Sequence, residues 1–215
     1  MKLAGEGGKL MDTKQRILDE ALTLFSEKGY ANVFVNDIAE KVGIKAPSLY
    51  KHYKNKQAIF DAIIDEMNHR FEQQAHTLSI NGTDPAADAE VYKTLDEDHL
   101  VKLGNDLFAY YLHDSYTKRF RKMLTLEQFQ DKDLAKVYSR QYFDKPLTYQ
   151  GMLLGLLVAQ GVLAADDVPV MTLQFYAPIY MLLTVCDREP EREKEALQLM
   201  EKHIRQFDKL YGRNI

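Results

Sequence analysis

Ala39 and Gly43, four residues apart, do the most to limit what this chain can fold into. They lie in the stretch Ile38–Lys56, IAEKVGIKAPSLYKHYKNK. A small inward-facing alanine lets a following helix approach closely. A glycine takes positive φ in the turn between helices at little steric cost. Pro47 suits the first turn of the next helix, where the amides have no intrahelical partners to lose. The pattern predicts a helix over Val35–Val42, a turn at Gly43 and a short helix from about Ala46–Pro47 to Tyr53. Together these make a helix-turn-helix.

Charge sharpens this reading. Five lysines (Lys41, Lys45, Lys51, Lys54, Lys56) fall within positions 41–56, and no acid occurs between Glu40 and Asp61. The chain as a whole carries −4, but residues 1–56 hold ten Lys+Arg against seven Asp+Glu, while the rest holds eighteen against twenty-five. Local field, not total charge, governs binding to a polyanion. A helix fits the major groove of duplex DNA, where base edges are distinguishable. At the start of the second helix, Lys45, Ala46, Pro47 and Ser48 are placed to face bases. Ser48 donates or accepts a hydrogen bond, Ala46 and Pro47 offer apolar contact, and Lys45 reaches a guanine edge or a phosphate. Tyr50, Lys51, His52, Tyr53, Lys54 and Lys56 supply donors suited to phosphates. Lys56 also stands at the positive end of the next helix. Leu49 is expected in the core.

The remaining pattern is helical throughout, so the expected class is all-α. Residues 1–11 read as a flexible leader, within which Met11 is a second candidate start. Ile17, Leu18, Ala21, Leu22 and Phe25 mark a first helix over Asp12–Lys28, with Asp12 and Gln15 as its cap and Gly29 as its left-handed stop. Asn55 is a candidate cap for a helix from Lys56 to about Leu78, and Asn81–Pro85 is a break. Asp88–His113 is expected as one long helix or as two with an interruption near Asp96–Asp98. Further helices are expected over Tyr116–Phe129, Asp133–Leu163 with a kink or break around Pro146, Val168–Cys186 and Pro190–Tyr211. Domain boundaries follow: leader 1–11, helix-turn-helix domain 12–56, helical effector-binding and dimerisation domain 57–215. No contiguous apolar run reaches the length of a membrane span. The N-terminus has no secretion-signal pattern, and the single Cys186 fits a reducing cytoplasm.

The segment GYANVFVNDIAEKVGIKAPSLYKHYKNKQAIFDAI, with Gly29-Tyr30, Asp37-Ile38-Ala39, Gly43, Leu49-Tyr50, His52-Tyr53 and Asn55-Lys56, resembles the N-terminal domain of the TetR family of bacterial transcriptional regulators. That resemblance covers about Thr13 to Ile64. It implies a homodimeric repressor whose N-terminal three-helix heads read operator half-sites and are released by a small ligand in the C-terminal body. By position it assigns DNA contacts to Ser48, Tyr50, His52 and Lys56. Two residues depart from the family pattern. Phe34 stands where a capping Thr is usual, a loss of about 1 kcal/mol, and Lys45 stands where Ser is common.

For the body, the density of aromatics and methionines suggests a pocket for an apolar or aromatic effector. Its candidate lining is Phe108, Tyr111, Met123, Phe129, Tyr138, Tyr142, Met152, Phe175 and Tyr176. A dimer interface is expected on Leu173, Ala177, Tyr180 and Met181 of one helix and Leu197, Met200, Ile204 and Phe207 of the next. The histidines are scattered, and Asp96-Glu97-Asp98-His99 reads as a solvated charge run rather than a metal site. No phosphate loop, nucleophile elbow or HExxH motif is present, so neither catalysis nor a cofactor is expected. The expected partners are an operator duplex, a second copy and a small effector, with no membrane. Two rival readings are a same-fold regulator controlled by a partner, and a helical ligand-binding protein that does not touch DNA. Salt separates the last from the others: duplex affinity measured by anisotropy is expected to fall steeply as salt rises, with a slope set by the phosphates contacted.

Overall fold

The computed structural model describes residues 12–212; the expected leader lies outside them. Among the described residues there are eleven α-helices and no strand. The chain divides into two compact units, one ending at Glu66 and one beginning at Met67. The division falls inside the fourth helix rather than at residue 56.

The first unit, the head, holds α1 (Thr13–Lys28), α2 (Val35–Val42), α3 (Ala46–Tyr50) and the start of α4 (Lys56–Thr77). Ile17, Leu22 and Phe25 of α1, Ile38 and Ala39 of α2, Leu49 of α3, and Ile59 and Ile63 of α4 are all buried. They are the apolar positions that recur at helical spacing. Asn55 caps α4 by accepting from Ala58 N at 2.8 Å. Asp12 does not cap α1 with its side chain; only its carbonyl is used, by Arg16 N at 3.0 Å. Gly29 has φ 84° but an extended ψ of 150°, so α1 stops without the left-handed geometry expected there. The helix α3 is shorter than expected and ends at Tyr50.

The second unit, the body, contains α5 (Pro85–Tyr92), α6 (Glu97–His113), α7 (Ser115–Glu127), α8 (Lys132–Ser139), a π-helical turn (Arg140–Asp144), α9 (Lys145–Ala159), α10 (Val168–Arg188), a short 3₁₀ turn (Pro190–Arg192) and α11 (Glu193–Tyr211). The stretch Asp88–His113 is two helices, and the interruption expected near Asp96–Asp98 lies between Tyr92 and Glu97. Asp84 caps the first by accepting from Ala86 N and Ala87 N. Asp96 caps the second by accepting from His99 N at 2.9 Å, which accounts for the acidic run there. The break expected around Pro146 is the π-helical turn just before it, and Pro146 itself sits in the first turn of α9.

Among the described residues, the body holds three apolar clusters, the smallest of them joining Ala75, Ile80 and Leu103. Of the larger two, one joins Phe108 and Leu112 of α6 to Leu182, Leu183 and Cys186 of α10 and to Met200 and Ile204 of α11. The other joins Ala89 of α5, Leu153, Leu154 and Leu157 of α9, Met171 of α10 and Phe207 of α11. By length and composition alone α10 could cross a membrane. That property was hidden in the sequence because Gln174, Tyr176 and Pro178 interrupt its apolar residues.

A buried carboxylate fixes the turn before α5. Asp88, 1% exposed, accepts from Asn81 N at 2.6 Å and Gly82 N at 2.8 Å, and from the Tyr149 hydroxyl of α9. Removing it strands three donors. Asp88→Ala is expected to cost about 3 kcal/mol, read as a lower urea midpoint with an unchanged slope. A loss below about 1 kcal/mol would mean that the turn relaxes to satisfy its own amides.

Candidate nucleic-acid interface

The turn between α2 and α3 begins with Gly43 in the left-handed conformation, φ 77° and ψ 32°. Gly43 N donates to Glu40 O at 3.0 Å and Ile44 N to Ala39 O at 2.9 Å. These bonds close α2 and turn the chain toward Ala46. From α1, Arg16 Nη2 donates to Val42 O at 2.6 Å, satisfying another terminal carbonyl. Leu49 is fully buried and holds α3 in place. At the entry to α2, Asp37 accepts from Phe34 N at 2.7 Å. Phe34 offers no acceptor in return, so half of the capping box is missing, as its side chain dictates. That phenyl ring is 67% exposed.

With α3 so placed, Lys45, Pro47, Tyr50, Lys51 and His52 are exposed, and Ala46 and Ser48 are half-buried. Lys45 is the N-cap of α3 in extended conformation, without a side-chain cap bond. These seven residues form one continuous run at the start and exit of α3, rich in cations and hydroxyls.

Two expected contacts are placed differently. Tyr53 is 5% exposed and belongs to the head's core. Its hydroxyl finds no hydrogen-bond partner among the described residues. Burial, with Asp12 and Glu66 nearby, pushes its pKa up to about 12. Lys56 turns inward: its Nζ donates to Tyr30 O at 2.8 Å and Val33 O at 2.9 Å and lies 4.2 Å from the Tyr30 ring centroid. The ammonium therefore ties the loop before α2 to the first turn of α4. Nothing in the sequence marks this use of Lys56, because the three partners lie more than twenty residues upstream.

The expected effector residues separate into two groups. Tyr111 and Tyr142 lie beside Arg121, which is itself 1% exposed, and Tyr138 and Tyr176 join the group through Tyr142. Arg121 was not anticipated, since a buried arginine has no sequence signature until its partner is known. The other five do not line this site. Phe108 and Met123 are fully packed core residues, and Phe129 is 90% exposed. Met152 lies on an open cleft of about 430 Å³ with Asp84, Pro85, Ala86, Gly151, Gly155 and Leu156. Phe175 packs against Phe207 and His203 of α11.

The expected dimer residues divide similarly. Leu173, Ala177 and Met181 are exposed on one face of α10. Met200, Ile204 and Phe207 are instead buried in the body's own cores, and Leu197 packs against the first of these. The apolar stripe of α11 is spent on α6 and α10, leaving only Leu199 and Leu210 exposed on that helix. Tyr180 belongs to the tyrosine group.

Residues 17–63 match the family model for bacterial regulatory proteins of the tetR family. The chain is 53% identical over 47 residues to IcaR of Staphylococcus epidermidis, the HTH-type negative transcriptional regulator of the biofilm operon icaADBC. It is 50% identical over 48 residues to IcaR of Staphylococcus aureus. Each match covers 22% of this chain, and 25% and 26% of the relative, so only about a quarter of those proteins' length is spanned. Across almost the whole chain the fold is similar to that of SmeT, the repressor of the Stenotrophomonas maltophilia multidrug efflux pump SmeDEF. The TM-score is 0.64 at 20% identity, covering 95% of this chain and 92% of that one. The SmeT–triclosan complex gives a TM-score of 0.66 at 18% identity, covering 94% and 92%.

Two substitutions separate surface from scaffold in the head. Lys51→Ala is expected to weaken duplex binding and reduce the salt slope by about one without shifting Tm. Lys56→Ala is expected to lose about 1–2 kcal/mol of stability, because two carbonyls lose a charged donor. Its binding loss should come with little change in salt slope. Anisotropy titrations at several salt concentrations, with thermal melts of the same variants, check both.

Proposed function

We propose that this chain, whose residues 17–63 match the model of the tetR family of bacterial regulatory proteins, is a sequence-specific DNA-binding transcriptional regulator, acting as a repressor. The observation that carries this reading is the run Lys45–Ser48 and Tyr50–His52 around α3, exposed except for half-buried Ala46 and Ser48. It is held by the Gly43 turn and fully buried Leu49. Ser48 with Ala46, Pro47 and Lys45 reads bases, while Tyr50, Lys51 and His52 anchor on phosphates.

The regulator works as a homodimer through α10. Val170, Leu173 and Met181 are 48%, 58% and 55% exposed, and with Ala177 they repeat near helical spacing along one face. A second copy of the same helix, joined by Leu199 and Leu210 of α11, covers this face isologously. A small aromatic ligand in the tyrosine-lined part of the body shifts the balance between head spacings that fit DNA and those that do not. The SmeT–triclosan complex, a protein of similar fold with triclosan, supports this reading.

In vitro selection from random duplexes tests the reading. Enriched sites are expected to be inverted repeats with half-sites about 10–10.5 base pairs apart, or a multiple. Selection of no sequence would remove it. For the dimer, sedimentation is expected to give twice the 24.9 kDa chain mass. The double variant Leu173→Glu/Met181→Glu should sediment as a folded monomer, because neither side chain is needed in the protomer's core.

A further inference from the structure

Arg121 is the largest fully buried side chain described, and it carries a permanent charge. Its guanidinium donates through Nη2 to Asp187 Oδ1 at 2.6 Å and through Nε to Asp187 Oδ2. It also donates through Nη1 to the Tyr111 carbonyl at 3.1 Å. Burial disfavours the cation, but the hydrogen bonds and charge of Asp187 outweigh it and hold the arginine's pKa above its ordinary value. A buried guanidinium cannot be left without an anion except at high cost.

The two partners are not equally placed. Arg121 is 1% exposed, whereas the Asp187 side chain is 27% exposed. Asp187 sits near the end of α10 and can turn into water and recover its hydration. Arg121 cannot leave. The planar fork that grips Asp187 is a receptor for any carboxylate of the same geometry.

Tyr111, Tyr142 and Tyr180 lie near this fork, and further aromatic side chains pack against them. Tyr138 and Tyr142 lie 5.3 Å apart, Tyr142 and Tyr180 6.0 Å, and Tyr180 and Phe143 5.2 Å, measured between ring centroids. The hydroxyls of Tyr138 and Tyr180 are hydrogen-bonded to each other, and that of Tyr176 donates to the Tyr142 carbonyl at 2.7 Å. Tyr142 and Phe143 both belong to the π-helical turn. Such turns are rare in helices and recur where a segment serves a ligand. Phe143, 36% exposed, opens the group to solvent.

We propose that this group is a receptor for an aromatic monocarboxylate, whose carboxylate takes over Arg121 from Asp187 while its ring lies among the tyrosines. Charge is conserved at the buried site, since one anion replaces another and Asp187 moves into water. The exchange breaks an ion pair between α7 and α10. Binding itself does not depend on the regulatory reading. The consequence does, because α10 also carries the proposed dimer face.

The test uses the full chain with benzoate, its neutral isostere benzamide, and acetate, by calorimetry and thermal shift. Benzoate is expected to bind more tightly than about 1 mM, with benzamide and acetate at least tenfold weaker. Asp187→Asn, which removes the competing anion but keeps its shape, should melt lower than wild type without ligand. It should bind benzoate about tenfold tighter and show the larger benzoate-induced rise in Tm. A purely structural ion pair would give the lower Tm and no gain in affinity. Absence of benzoate binding to wild type, equal binding of benzamide, or no gain in Asp187→Asn would each overturn the proposal. The wild-type comparison stands even if the variant does not fold. Failure here would leave duplex selection untouched, so the two readings fail separately.

Discussion

The left-handed turn at Gly43 is the constraint on which the head depends. Between Val42 and Ala46 the chain must reverse within three residues, and only a residue tolerant of φ 77° does so without strain. Ala39, beneath the turn and 2% exposed, keeps the gap between α2 and α3 small. Leu49 closes it. The length of α3 follows: five residues suffice because one buried leucine anchors the helix and the rest of its surface is left for contact.

Around this turn, charge has two separate uses. Lys45, Lys51 and Lys54 stay exposed and define the field the head presents. Lys56, in the same run, is turned onto two carbonyls and a ring. Arg16 similarly serves the end of α2. A basic segment therefore divides into groups that meet the outside and groups that hold the frame, decided by which backbone carbonyls lack partners. The body shows the same logic in reverse. Its buried cation, Arg121, is balanced by an acid that remains partly in water.

Much of the architecture was legible from local pattern. The helix-turn-helix, the Asn55 cap, the break at Asn81–Pro85 and most helix limits follow from spacing, caps and breakers, which act over a few residues. Phe34 was legible as a missing half-cap because a phenyl ring has no acceptor. Other features were not. Tyr53 was placed with the surface donors because its neighbours in sequence are polar, yet α3 ends early and its ring joins the core. Met200, Ile204 and Phe207 were correctly seen as a stripe. Their stripe was assigned to a second copy, whereas α6 and α10 of the same chain cover it.

By itself the sequence determined an all-α chain with a basic helix-turn-helix at one end, because those properties rest on short-range sterics, periodicity and charge. Tertiary structure alone decided which side chains share a site. Tyr111, Arg121, Tyr142 and Asp187 come from four different segments, and nothing local binds their positions together. An apolar stripe states that a face must be buried, and a buried charge states that a partner must exist. Neither names the partner, since hydrophobic burial is non-directional and an ion pair's partner is set by packing over the whole body.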